Sequence, residues 1–415
     1  MKKKELFKNY TLFILLGVFF AVVVYQIVMK HMLIEGCDYS NAGIRALTIF
    51  SDKDNGGRMY PIWPVGVKVF YRFFKCGLYR SAAYTTMIMY VLRFVISYIL
   101  LRYYIGERYS GNVCAVLAAV SMIVQHISVV GLKNEVTWGI AHVNTWHNPT
   151  NPVAILFGIC SLFCVFRLFE EWEQNSKISG KWLVLFGLVN VLADLGKPSF
   201  AQVFIPAIAI YCVCYCIKSK FKSFKFCLAI AIALIPSVII LMMQSGSFFN
   251  FSNLTAMEQN QRILLASAEP VRLQVQSALA SDVIIDWFEV MQSSWGNIPL
   301  TLIGTLAFPA YTAIVYFKET IKDKKVILAW LMGLIGFLEY AAFSQEGAAK
   351  YHGNFGWGYI LSMAILFLIS IMHFMKSREK GWNVKTVIGV ILLAMHFICG
   401  WNYMCWQIME EGFWF

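Results

Sequence analysis

Residues 226–243 read FCLAIAIALIPSVIILMM, an apolar run without one charged side chain and long enough to cross a bilayer. Comparable runs recur along the whole chain, near 11–29, 82–101, 112–130, 152–166, 182–195, 200–217, 299–316, 327–343, 358–375 and 386–400. Short lysine-bearing segments separate many of them. Backbone polar groups have no water to bond inside a bilayer, so such runs must become helices. The expected fold is therefore all-α, a polytopic membrane helix bundle of about eleven transmembrane helices. Composition agrees. Only 14 % of the 415 residues are charged and 59 % are hydrophobic, with a mean hydropathy of +0.62. A soluble chain carries about 25 % charged residues.

The net charge of +12 would suit a nucleic-acid binder, but the lysines fall in clusters between apolar runs. That pattern belongs to membrane topology and excludes a phosphate-backbone groove. With a cytoplasmic N-terminus, the inner segments are 1–10, 102–111, 167–181, 218–225, 317–326 and 376–385. All six are short and basic, and together they hold more than half of the 35 lysines and arginines. The opposite orientation places fewer basic residues inside and gathers most of them in one long loop. The N-terminus is thus expected inside and the C-terminus outside. The basic start MKKKELFKNY is followed by no small-residue cleavage site, so it reads as a retained first span.

The chain reads as a single integral-membrane domain over 1–415. Residues 1–81 carry the first span and first outer loop, 82–243 carry spans two to seven, 244–298 form an outer loop, and 299–415 carry the last four spans. Two helices are expected in the 244–298 loop, LTAMEQNQRILLAS and PVRLQVQSALASDVIIDWFEVMQSS. The second would place Asp282, Asp286 and Glu289 on one acidic stripe. Nine of the 13 tryptophans fall on the outer side: Trp63, Trp138, Trp146, Trp287, Trp295, Trp357, Trp401, Trp406 and Trp414. An aromatic belt marks both interfaces of a membrane protein, so a one-sided excess points also to sugar-ring stacking.

Chemistry-bearing residues cluster in the outer segments. Glu35 and Asp38 follow the first span three apart, on one face if the helix continues, and either suits a general base for an acceptor hydroxyl. Asp52 and Asp54 form a D-x-D pair within SDKDNGG, which fits a divalent ion or plain turn chemistry. Lys68, Arg72 and Lys75 make a basic edge on an amphipathic helix near 64–80, expected to lie flat in the interface. In HVNTWHNPTNP, Asn151 before Pro152 and Asn148 before Pro149 read as helix starts. His142, Trp146 and His147 are left over and suit the mouth of a cavity. Asp194 and Lys197 sit at the break after a short fifth span, either paired with each other or free to meet a phosphate. Glu346, Lys350 and His352 lie in a glycine-rich outer turn. Glu339 reads as a carboxylate within the membrane, with Arg93 a candidate counterion. No histidine or cysteine spacing matches a metal motif, so no metal site and no cofactor are expected, with the D-x-D pair the one opening for a divalent ion. Cys212, Cys214 and Cys216 read as small buried residues, while Cys37 and Cys76 share the outer side and leave a disulfide open.

In these features the chain resembles the C-type (GT-C) membrane glycosyltransferases. The resemblance rests on many spans with a cytoplasmic N-terminus, a carboxylate after the first span, a flat amphipathic helix in the first outer loop, and outer His, Lys and aromatic residues. It implies transfer of a sugar from a polyprenyl-phosphate carrier to an outward-facing saccharide or lipid acceptor of the cell envelope, at a bacterial plasma membrane. It implies Asp38 or Glu35 as the base, and Lys197 with Lys68, Arg72 or Lys75 at the carrier phosphate. The signatures of the better-known branches are absent; GCDYSNAG and MYPIWP are loose counterparts. The competing readings are a flippase or transporter of a lipid-linked saccharide, and another outer-facing enzyme such as a polysaccharide polymerase or ligase.

Overall fold

The computed structural model describes residues 3–34, 37–49, 60–128, 142–249, 283–345, 353–379 and 381–409. Fifteen helices run through them: α1 (Lys3–Leu33), α2 (Asp38–Thr48), α3 (Ile62–Phe73), α4 (Leu78–Ile105), α5 (Gly111–Ile123), α6 (Asn151–Asn175), α7 (Gly180–Gly196), α8 (Ser199–Lys218), α9 (Phe224–Phe249), α10 (Glu289–Trp295), α11 (Ile298–Val315), α12 (Phe317–Thr320), α13 (Lys324–Ala342), α14 (Gly356–Ser377) and α15 (Val384–Met409). Nine of these are long and apolar enough to cross a membrane: α1, α4, α6, α8, α9, α11, α13, α14 and α15. The chain is an all-α polytopic membrane bundle.

Burial orders the bundle. The apolar window of α14 is 94 % buried, whereas those of α9 and α15 are 22 % buried. A helix apolar on every side that is also buried on every side is the central post, and the exposed apolar faces of α9 and α15 belong to lipid. Around α14 pack α13, α8, α11, α5, α4 and α6, while α1 lies along α4 and α7 along α6.

Two of the expected spans form shorter helices. α7 has 17 residues, about 26 Å. α5 stops at Ile123 after 13 residues, about 20 Å, where the hydropathy of 112–130 predicts one continuous helix. Val124–Ser128 continues without helical structure, wedged between α11 and α15. Several of its backbone groups find partners on both sides. Gln125 N–H donates to His396 O at 3.0 Å and Ile127 N–H to Gly304 O at 3.0 Å. His396 Nδ1 meets Gln125 O at 2.5 Å. Irregular backbone at membrane depth is tolerated where protein supplies its hydrogen bonds. The wedge needs glycines on both neighbours. A Cβ on Gly400 would overlap Ile123 O, and one on Gly304 would lie 2.7 Å from Ile127 O.

Several local expectations change. The first span does not continue into Asp38: α1 ends at Leu33, and Asp38 opens the separate helix α2 behind an extended Cys37. The amphipathic helix spans Ile62–Phe73, not 64–80. It packs on α4 through buried Trp63, Pro64 and Val67, with Trp63 Nε1 donating to Thr86 Oγ1 at 2.8 Å. Lys75 lies past its end at φ +51°, so it leaves the Lys68–Arg72 face. The expected helix through 283–294 begins instead as a strand. β1 (Val283–Ile285) pairs antiparallel with β2 (Phe343–Gln345), and only Glu289–Trp295 is helical. Asp286 and Glu289 therefore form no helical stripe, and Asp282 lies outside the described residues. So do residues 250–282, which held most of the expected outer helices. Cys37 and Cys76 are free thiols.

Candidate functional site

The loop 142–150 has no regular structure, yet most of it is buried. Its polar groups must therefore find partners inside the bundle. Arg93 on α4 donates to Asn144 Oδ1 at 2.5 Å, and Asn144 Nδ2 donates to Val124 O at 2.8 Å and Ser121 O at 3.3 Å. Gln125 Oε1 accepts from Val143 N at 2.7 Å, and its Nε2 donates to Asn144 O. Tyr90 OH donates to Thr145 O at 2.8 Å, and its ring stacks on Trp146 with centroids 5.0 Å apart. Arg93 is thus spent on this loop, where the sequence offered Glu339 as its partner.

The fixed loop delivers His147 and Asn148 to the start of α6. Asn148 Oδ1 accepts from Thr150 N at 3.2 Å, Thr150 Oγ1 at 2.8 Å and Asn151 N at 3.3 Å, so it closes the N-terminus of α6. Asn151 is the first helical residue and not the cap. Its side chain turns away, donating to Thr145 Oγ1 at 2.5 Å and accepting from Lys197 Nζ at 2.9 Å.

Asn148 is also a bridge. Its Nδ2 donates to Asp38 Oδ2 at 2.9 Å, and its Oδ1 lies 3.4 Å from Lys197 Nζ. The ammonium sits 3.5 Å above the ring centroid of Trp357, at the first turn of α14. His147 lies 6.2 Å from the same ring, and its Nδ1 is 3.4 Å from Tyr403 OH on α15. Residues from α2, the 142–150 loop, the α7–α8 turn, α14 and α15 therefore meet at one end of the bundle.

Lys197 is only 6 % exposed and makes no hydrogen bond to a carboxylate among the described residues. Burial pushes its ammonium down to about 7, against the nearby Asp38 charge, which holds it up. Burial likewise lowers His147, with Asp38 opposing and Lys197 adding to the effect. Asp38 itself is exposed at the first turn of α2, where the helix dipole favours a negative charge. The arrangement is an open carboxylate and a buried cation joined by one amide, with the Trp357 ring against the cation and His147 beside that ring. It offers a base to a hydroxyl and a cation to an anion a few ångströms away.

Asp194 does not pair with Lys197. Its Oδ2 accepts from Ser237 Oγ and its backbone oxygen from Gln244 Nε2 at 3.0 Å. Lys197 leaves the helix at the end of α7 in an extended conformation, and its Nζ reaches Asn148 and Asn151. His142 is buried and stacked on Tyr403 at 4.1 Å, and Trp146 is buried on Tyr90, so both are walls of the loop, not an open stacking surface. Lys68 Nζ donates to Ile49 O at 2.7 Å, at the C-terminus of α2. Arg72 and Lys75 are exposed. Glu35, Asp52, Asp54, Glu346, Lys350 and His352 lie outside the described residues. Among the described residues no group of histidine, cysteine and carboxylate side chains could hold a metal ion. Sequence reasoning missed Asn148 and Asn151, which capping chemistry explained too easily, and the pairing of Trp357 with Lys197. No protein-family model matches the chain, and no curated protein matches it.

Proposed function

We propose that the protein transfers a sugar from a polyprenyl-phosphate carrier to an outward-facing acceptor of the cell envelope. The Asp38–Asn148–Lys197 connection carries this reading. It holds an exposed carboxylate and a buried cation at fixed separation, as acid–base chemistry beside a phosphate leaving group requires. Asp38 takes the proton of the acceptor hydroxyl, whose oxygen attacks the sugar C1. The bond from C1 to the phosphate oxygen breaks, and the carrier phosphate keeps the electron pair. Lys197, from the floor of the site, stabilises the growing charge, and a phosphate oxygen displaces its long 3.4 Å contact to Asn148. Trp357 and His147 form the wall next to the ammonium.

The test is transfer of radiolabelled sugar from polyprenyl phosphate in membranes bearing the protein. Asp38→Asn keeps the size of the side chain and removes the base, so transfer should fall at least ~100-fold at unchanged expression. Full transfer by that variant would sink the assignment.

A further inference from the structure

Away from Asp38, at the other end of α6 and α14, lies a second polar site. α6 carries Asn151 at its start and Glu170 and Glu173 near its end, and its 25 residues rise about 37 Å. α14 carries Trp357 at its start and His373 and Lys376 at its end. The ends of α6 and α14, α12 and the start of α13 surround a pocket of about 500 Å³. This end bears the lysine-rich connections.

Part of its charge is already paired. Lys324 forms an ion pair with Glu173, and Lys325 lies 3.9 Å from Glu170 and 3.7 Å from Asp323. Lys325 also sits 4.5 Å from the Tyr104 ring centroid. These contacts close the start of α13 onto α6. Lys322, Lys376 and Glu319 also line the pocket, exposed and without an ion pair among the described residues. His373 is 2 % exposed and lines it too. Its Nε2 lies 3.0 Å from Thr320 Oγ1, and its Nδ1 has no hydrogen-bond partner among the described residues. A buried imidazole nitrogen without a partner is costly unless a ligand completes it. Phe166 and Phe169 supply the apolar part of the wall.

We propose that this pocket binds an aminophospholipid, its phosphate held by Lys322 and Lys376 and its primary ammonium by Glu319. With Nε2–H donating to Thr320, His373 Nδ1 is an acceptor and takes a second ammonium hydrogen. Glu319, the wall carboxylate without an ion pair among the described residues, opposes a headgroup that carries only negative charge. A quaternary ammonium has no N–H for Glu319 or His373. A zwitterion with a primary amine satisfies both signs. Its glycerol and first acyl carbons fall against Phe166 and Phe169, at the apolar side of the same pocket. The site is independent of the chemistry at the Asp38 end.

The purified protein, exchanged into nanodiscs of mixed lipid, is then examined by native mass spectrometry. Phosphatidylethanolamine should be retained about tenfold over phosphatidylcholine and phosphatidylglycerol. Lys322→Ala/Lys376→Ala should abolish the retention of phosphatidylethanolamine, and Lys218→Ala/Lys220→Ala, at another connection, should leave it intact. If the double variant does not fold, the exposed Glu319→Gln should reduce the ethanolamine preference alone. Equal retention of the three lipids, or unchanged retention of phosphatidylethanolamine in the Lys322 and Lys376 variant, overturns the proposal. Soluble glycerophosphoethanolamine competing as well as the lipid at equal concentration also overturns it, because the ligand would then be a solute.

Discussion

At the scale of single residues, Asn148 does two jobs that one further substitution separates. It closes the start of α6 and it joins Asp38 to Lys197. Asn148→Ser keeps a capping oxygen but is too short to hold both partners. Thermal stability in detergent should change by less than about 1 kcal/mol, while transfer should fall about 10–100-fold. Equal loss of both would show that the residue is only a cap. Lys197 gives a pH prediction. Its folded-state pKa of about 7 lies below its ordinary 10.5, so between these values the unfolded chain binds more protons than the folded one. Stability contributed through Lys197 therefore rises with pH across that window. Melting temperatures at pH 7 and pH 9.5 should differ more in the wild type than in Lys197→Met. Activity should run the other way. The ammonium is needed at the phosphate, so kcat/KM should fall as pH rises through about 7. A bound carrier phosphate holds the proton on, so the same limb in kcat should move to higher pH. Coincident limbs would separate Lys197 from the phosphate.

At the scale of elements, the informative piece is α5, expected from hydropathy to be the third span. α5 with the Val124–Ser128 segment does the work of a longer helix only because α11 and α15 receive its carbonyls at two glycines. Gly400→Ala should destabilise the protein by about 1–3 kcal/mol or more, read as a lowered melting temperature. Wild-type stability in that variant would mean that α15 moves freely away from the segment. Hydropathy over 112–130 carries no sign of this break, since Gln125 and His126 are two polar residues within an apolar run. The same limit hid β1 and β2, three residues each, whose pairing joins positions 283 and 345. A helical period in a short window cannot reveal a partner so far along the chain.

At the scale of the whole molecule, the two polar ends sit on the same two helices, α6 and α14, and the basic connections mark one of them. Reporter domains fused after Lys222 and after Lys322 should both be cytoplasmic, and a reporter fused after Asn297 should be external. A cytoplasmic signal from the last fusion would reverse the orientation and move Asp38 away from envelope acceptors. α14 is the shared post, so insertions there should unfold the protein, whereas lipid-facing changes on α9 should be tolerated.

Local sequence settles the kind of object: a helical membrane bundle, the approximate ends of its long apolar helices and the segments rich in charge. Those follow from local quantities, the length of an apolar run and the sign of its flanks. Asp38, His147 and Lys197 were each legible as unusual residues in segments between the apolar runs. That they meet, that Asn148 joins two of them, and that Trp146 and His142 are walls were decided only by tertiary structure. Hydrogen-bond partners more than a hundred residues apart, such as Asp38 and Asn148, are chosen by how helices pack, and packing is a property of the whole chain.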